Sequence, residues 1–302
     1  MPNEDQKTFR ALIKDKKVEY NQVGKLSPAR FFYKYLRLKG ALLCINNGTI
    51  QFVEPNTWTD LYESRFYNAD YSSQNVDEKE DCPFLYATCL TTKRNNEAAW
   101  VLYTYDKTGK DAVCVEFQIN KHKFRLQLLK ALAEQDKIYE GTVTYKPTFF
   151  IDHLHRKQIL GKDNPSYMKY CKKKPTIPYL TNYLSLLLMK RDAFDHEHET
   201  RFFIVKEDKK DKTKADPKNP DNRCYPTIDW IEIIEKVYIN AKEDSDGYKQ
   251  LSDALKAKLD EKYVDTTDPA KLNEKNQIWG TKLKPIPYFV YGEPSAGRLA
   301  IE

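Results

Sequence analysis

Apolar positions along this chain follow two rhythms. Short runs rich in β-branched and aromatic residues, bounded by Gly, Pro, Asn or Asp, predict strands at 31–35, 49–53, 84–90, 112–117, 142–145, 231–240 and 286–291. Recurrence near every 3.6 residues predicts helices at 36–44, 95–105, 122–134, 180–194 and 248–263, the fourth of these from Leu180, Tyr183, Leu184, Leu187 and Leu188. Pro55 and Pro147 stop the strands before them, since proline lacks the amide that a ladder requires. Residues 1–25 read as a charged lead-in with room for a short helix. Residues 68–81 form an acidic loop, and 206–222, rich in Lys and Asp, a mobile one. The pattern predicts an α+β domain on a mixed, mainly antiparallel sheet, split into two packed halves around a cleft with helices on the flanks. The expected organisation is a lead-in at 1–25, a catalytic-like domain at 26–245 and a C-terminal helix and strand at 246–302 packed on the same domain.

Composition narrows this picture in three ways. The chain has 302 residues, 40% of them hydrophobic and 13% aromatic, enough for one large core. Its six cysteines show no C-x-x-C and no dense framework, so they read as reduced thiols, and a cytoplasmic location is expected. The apolar-rich stretch 184–189 is too short to cross a bilayer, and no membrane partner is expected. The net charge of +6 is unevenly spread: 156–191 holds nine Lys/Arg against Asp163 alone. That segment, interleaved with Tyr167, Tyr170, Tyr179 and Tyr183, is either a solubilising surface or a track for a phosphate backbone or anionic cofactor.

The sharpest chemical signal is Asp195-His196-Glu197-His198-Glu199-Thr200-Arg201 leading into Phe202-Phe203-Ile204-Val205. In an extended strand Glu197, Glu199 and Arg201 share one face, with the two carboxylates about 6 to 7 Å apart by strand rise. Like charges at that separation raise one carboxyl pKa while Arg201 favours ionisation, so acid and base roles can divide between the pair, as chemistry on a sugar requires. A solvated strand edge with Glu–Arg pairing is the plainer alternative.

Tyr33-Lys34-Tyr35, Phe52 with Asp60 and Tyr62-Glu63, Cys89-Leu90-Thr91, Trp100 with Tyr103, Val113-Cys114-Val115-Glu116-Phe117, and Lys190 through Phe194 to Glu197-His198-Glu199-Thr200-Arg201 follow one another in an order that resembles the bacterial domain of unknown function 2971 family. The likeness spans about 32–240. It departs where Thr59-Asp60-Leu61-Tyr62-Glu63 replaces an Asn-Asp-Pro-Phe-Glu element, and where Ala99 replaces a methionine. That family is similar in layout to ADP-ribosyltransferases: a basic or polar residue on the first strand, a helix, a second strand, and a glutamate opening a late strand. The resemblance implies an ADP-ribosyltransferase-like fold that uses NAD, with transfer of ADP-ribose to a nucleic-acid or protein acceptor, or hydrolysis of NAD. The implied setting is a bacterial toxin or antiphage defence, with an antitoxin or other defence-system partner. It implies Glu199 as the catalytic acid, Glu197 orienting the acceptor and Arg201 holding a phosphate or keeping Glu199 ionised. Lys34 or Tyr35, with Tyr33 beside them, would meet ribose or phosphate, and Trp100 or Tyr103 would stack a ring.

Two other readings stand beside it. His153-Leu154-His155 and His196-Glu197-His198, if both lie on strands, present nitrogen pairs suited to zinc, which suggests a metal-dependent nuclease or phosphoesterase. Alternatively the basic segment grips nucleic acid and the glutamates merely brace it. There is no G-x-S-x-G, and with 10 glycines no Walker-type loop.

Overall fold

The computed structural model describes residues 11, 13, 19–58, 60, 62–63, 84–94, 96–104, 113–133, 136–160, 184–206, 222–241, 245–262 and 283–285. The strands are β1 (Glu19–Val23), β2 (Phe31–Arg37), β3 (Phe52–Val53), β4 (Phe84–Thr91), β5 (Cys114–Asn120), β6 (Lys137–Thr142), β7 (Thr144–Lys146), β8 (Met189–Arg191), β9 (Glu199–Lys206), β10 (Arg223–Cys224), β11 (Ile234–Ile239) and β12 (Leu283–Pro285). The helices are α1 (Leu38–Asn47), α2 (Glu97–Thr104), α3 (Lys121–Ala131), α4 (Thr148–Leu160), α5 (Trp230–Ile233) and α6 (Asp246–Lys262). No described helix is long and apolar enough to cross a membrane.

The main sheet runs β1-β6-β9-β4-β2-β5-β11-β12, with β3 on β4 and β10 on β3. The β1–β6 and β11–β12 pairs are parallel and the rest antiparallel, so the sheet is mixed and mainly antiparallel. Its centre is a seam. Strand β4 pairs with β9 along its whole length and β2 with β5 along its whole length, yet β2 and β4 meet only at Tyr33 and Thr91. Further along, the free edge of β4 takes β3 instead, at Val53 and Ala87. The two halves therefore diverge from Thr91, and a cleft opens where the ladder ends.

Alternation along the strands supplies two cores. Phe32, Tyr86, Leu90, Val115, Phe117, Phe202 and Ile204 face the helical side, against Ile45 of α1, Phe124 of α3 and Trp230 of α5. Phe32, Phe124 and Phe202 meet edge to face at 5.1–6.3 Å. Leu251, Leu255 and Leu259, four residues apart, seal α6 onto this core. Asn120 caps α3 by accepting the amides of His122 and Lys123. On the opposite side, Leu85, Ala87, Tyr139, Phe203 and Val205 pack with Ile151, Leu184, Leu187 and Leu188.

Gly141 on β6 is required by this second core. A Cβ there would stand 2.2 Å from Leu188 Cδ1 and 2.8 Å from the Val23 carbonyl oxygen of β1. Gly141→Ala is expected to cost about 1–3 kcal/mol, read as a lowered urea midpoint with an unchanged slope.

Several expected elements differ. Of the helix expected at 180–194, 180–183 lie outside the described residues; 184–187 are helical, and the chain then passes into β8 and a 3₁₀ turn at Asp192–Glu197 rather than continuing as helix. The Leu187 carbonyl accepts from Arg201 and the Leu188 carbonyl from the Thr144 amide, so the acceptors for the next turn are already engaged. The strand expected at 142–145 breaks at the buried Val143, whose amide goes to the Glu199 carbonyl while β7 leaves to pair with β8. Within the lead-in, 19–23 forms edge strand β1, where Tyr20 donates to Glu140 and Arg125 bridges both Glu140 oxygens. Residues 148–160, for which no helix was expected, are helical, and the Phe150 and Ile151 amides return to the Pro147 carbonyl at its start. The loops expected at 68–81 and 206–222 lie almost wholly outside the described residues, as does the strand expected at 286–291.

Candidate active site at the seam of the sheet

Where β2 leaves β4, a cleft of about 740 Å³ opens, in the range of small-molecule sites. Its walls include Tyr33, Lys34 and Tyr35 from β2, Cys89 and Thr91 from β4, and Glu197 and Glu199 at the head of β9. The early aromatic-basic trio and the late acidic doublet thus face one hollow.

The doublet is not built by strand alternation. Glu197 ends the 3₁₀ turn, His198 takes a left-handed conformation at φ 44°, and β9 begins only at Glu199. What unites the two carboxylates is Lys190 on β8, whose ammonium lies 2.6 Å from Glu197 Oε2, 3.3 Å from Glu199 Oε2 and 3.2 Å from Glu63 Oε1. Behind them, Arg201 places its fork on Glu199, with Nε 3.0 Å from Oε1 and Nη2 2.9 Å from Oε2, and Nη2 also lies 3.0 Å from Glu63 Oε1. The guanidinium is wholly buried, 4.3 Å over the Trp58 ring. Arg191 is held similarly, 3.2 Å from Asp60, 4.4 Å over Tyr62 and 5.0 Å over Phe194. Asp60 Oδ1 accepts the Tyr62 amide at 2.9 Å and the Asp60 carbonyl accepts that of Glu63, presenting Glu63 to the network.

These surroundings separate the two carboxyls. Burial would raise Glu199, but the charges of Arg201 and Lys190 and the Arg201 hydrogen bonds outweigh it and hold the group at about 2. Burial raises Glu197; Lys190 opposes this, and the negative charges of Glu199 and Glu63 add to it, leaving the group above its ordinary value. Exposure divides in the same sense, 27% for the Glu197 side chain against 7% for Glu199. One carboxylate is a fixed anion and the other a proton-exchanging group at the cleft surface.

Lys34 occupies the place left by the interrupted ladder. Its ammonium donates to the Cys89 carbonyl and Thr88 Oγ1, each at 3.3 Å, and among the described residues it has no carboxylate within ion-pair distance. Burial lowers its pKa, partly offset by Cys44, Cys89 and Glu199. Tyr35 donates to Glu116 and accepts from the Asn96 amide at 2.9 Å, while burial first and then Glu116 raise the Tyr33 and Tyr35 hydroxyls.

Trp100 is not a stacking platform. It is 3% exposed, packs edge to face on Tyr35 at 5.3 Å within a cluster that includes Tyr33, Cys114 and Tyr238, and does not line the cleft, which α2 reaches through Ala99 and Leu102. The Tyr103 side chain lies outside the described residues. The paired-histidine arrangement also fails: His153 and His155 lie on helix α4, where i and i+2 do not share a face. His153 is exposed, and among the described residues His196 is the one histidine that lines the cleft. Among the described residues no three His, Cys, Asp or Glu groups gather as metal ligands. Of the basic segment, 161–183 lies outside the described residues, and Lys190 and Arg191 turn inward to carboxylates.

Lys190, which the sequence marks only as the start of an ordered motif, is the centre of the network, and Glu63, Trp58 and Asn96 were not assigned a role. Lys190, Asp60 and Glu63 stand within the ordered motifs, which was the available signal; nothing in the chain marks Trp58 or Asn96. No protein family, curated protein or solved structure matches this chain.

Proposed function

We propose that the cleft binds NAD and that its carboxylates support cleavage of the nicotinamide glycosidic bond, with ADP-ribose passing to a macromolecular acceptor or to water. The observation carrying this reading is the pair of neighbouring carboxyls with opposed pKa shifts, both opening into a nucleotide-sized cleft beside Tyr33-Lys34-Tyr35. One mixed sheet carries both strands, and only β4 separates the glutamate-bearing β9 from the basic strand β2.

Breaking the C1′–N bond sends its electron pair to nicotinamide, which leaves neutral, and builds positive charge on the ribose. Glu199, ionised above about pH 2, supplies a permanent negative charge for that state. With both oxygens on Arg201, it acts as an anion and not as a proton donor. Glu197 takes the proton released when water or an acceptor attacks C1′. Lys34, which among the described residues has no carboxylate partner, meets the diphosphate, and Tyr33 and Tyr35 form the wall beside it. The free thiols Cys44, Cys89, Cys114 and Cys224 fit a reducing cytoplasm. An acceptor of nucleic acid or protein, and a toxin or antiphage role with a neutralising partner, extend the same reading.

The test is incubation of the full chain with nicotinamide-labelled NAD, alone and with RNA, DNA or a protein mixture. Time-dependent release of nicotinamide is expected. No release under any of these conditions overturns the enzymatic reading, and salt-dependent RNA or DNA binding without turnover would replace it with a binding module.

A further inference from the structure

The turn that carries Glu197 is held by its carbonyls. Thr91 Oγ1 donates to the Glu197 carbonyl, the Thr92 amide donates to that of His198 at 3.0 Å, and Asn96 Nδ2 donates to that of His196 at 2.8 Å. The threonines belong to the end of β4 and its continuation. Asn96 differs from both. It is 3% exposed, and its other polar groups are committed to two elements, α2 and β2. Oδ1 accepts the Ala99 amide at 3.3 Å and so caps α2; the Asn96 carbonyl accepts the Trp100 amide at 2.9 Å; the Asn96 amide donates to Tyr35 Oη at 2.9 Å. Tyr35 in turn is fixed to Glu116 on β5.

Since β2 and β4 share only the Tyr33–Thr91 pair, the chain of bonds from Glu116 through Tyr35 and Asn96 to His196 ties the β2–β5 half of the sheet to the acidic turn across the seam. We propose that Asn96 is the positioning residue of this cleft, setting the height of Glu197 above Lys190 by locking the preceding peptide to β2 and α2. This deepens the NAD reading for turnover, while the placement of Glu197 stands apart from it. Without the Nδ2–H donor the His196 carbonyl is released, the turn relaxes outward, and Glu197 gains water at the expense of Lys190. The groups facing Glu197 are Lys190 on β8, Glu199 on β9, Glu63 from the turn before β4 and Tyr145 on β7.

Two variants isolate the role. Asn96→Ser keeps an oxygen for the α2 cap but is too short to reach His196; Asn96→Asp keeps shape and cap but replaces the donor by an acceptor. Glu197 is followed by carbon NMR of carboxyl-labelled glutamate, assigned with Glu197→Gln, alongside nicotinamide release. In folded Asn96→Ser the Glu197 midpoint is expected to move down toward the ordinary carboxylate value, whereas the new charge of Asn96→Asp opposes that shift, and in both variants kcat is expected to fall at least tenfold with a smaller change in KM. A folded variant with both midpoint and kcat unchanged overturns the assignment. Should wild type release no nicotinamide, the NAD reading fails alone. The midpoint in Asn96→Ser then decides the role of Asn96, with a downward shift supporting it and an unchanged value overturning it.

Discussion

Glu197→Gln is expected to lower nicotinamide release by about 100-fold or more while leaving the fold intact, since a positioned proton acceptor contributes about 10²–10⁴-fold. Glutamine keeps the size of the side chain and its contact with Lys190 through the amide oxygen, but it cannot take a proton from the attacking water or acceptor. Because the Glu197 side chain is partly exposed and its carboxyl pKa is already raised, its neutralisation relieves repulsion from Glu199 and Glu63 and costs little stability. The wild-type rate should rise with pH through an ionisation above the ordinary carboxylate value, and the variant should lack that limb. Thermal melting run beside the rate assay separates the two effects. A variant that turns over NAD as fast as wild type would remove Glu197 from the chemistry.

Arg201→Met is expected to be the most destabilising change in the cleft, at about 3–5 kcal/mol near neutral pH. The side chain is fully buried and carries the charge that balances Glu199 and Glu63, so its removal strands carboxylates away from water. The pH dependence has a definite sign. In the folded protein Glu199 is depressed from 4.5 to about 2, so its stabilising contribution is fully present above about pH 4.5 and is lost as pH falls through 2. That contribution is about 3 kcal/mol. Without Arg201 the folded-state depression is reduced or reversed by burial, and protonation relieves the stranded charge. The penalty measured by urea unfolding should therefore shrink between pH 5 and 3, and an equal penalty at both pH values would contradict the ionic account.

The parts of this architecture that depend on local pattern were legible in the chain. Phe31-Phe32-Tyr33 and the apolar run from Cys114 mark central strands because side chains alternate and both faces are buried. α6 was readable from its leucines four residues apart, and α3 from apolar spacing after Asn120. The convergence of Tyr33-Lys34-Tyr35 with Glu197 and Glu199 was anticipated from the order of motifs. Local pattern misled where tertiary partners outbid it. Leu184, Leu187 and Leu188 have helical spacing and are buried as a helix would bury them, yet Arg201 and Thr144 claim the carbonyls and the chain turns into β8. Trp100 and Tyr35 carry the residue types of a stacking site, but their rings pack on each other.

By itself the sequence determined which central segments are strands, which of their faces are apolar and where the acidic and basic-aromatic motifs lie along the chain, because these follow from side-chain period and turn chemistry. Only the tertiary structure decided which carboxylate is a buried anion and which meets the cleft, because ionisation is set by neighbours brought in from 63, 190 and 201. It also decided that a cleft exists at all. The opening comes from two central strands sharing a single pair before parting, a matter of register between segments far apart in the chain.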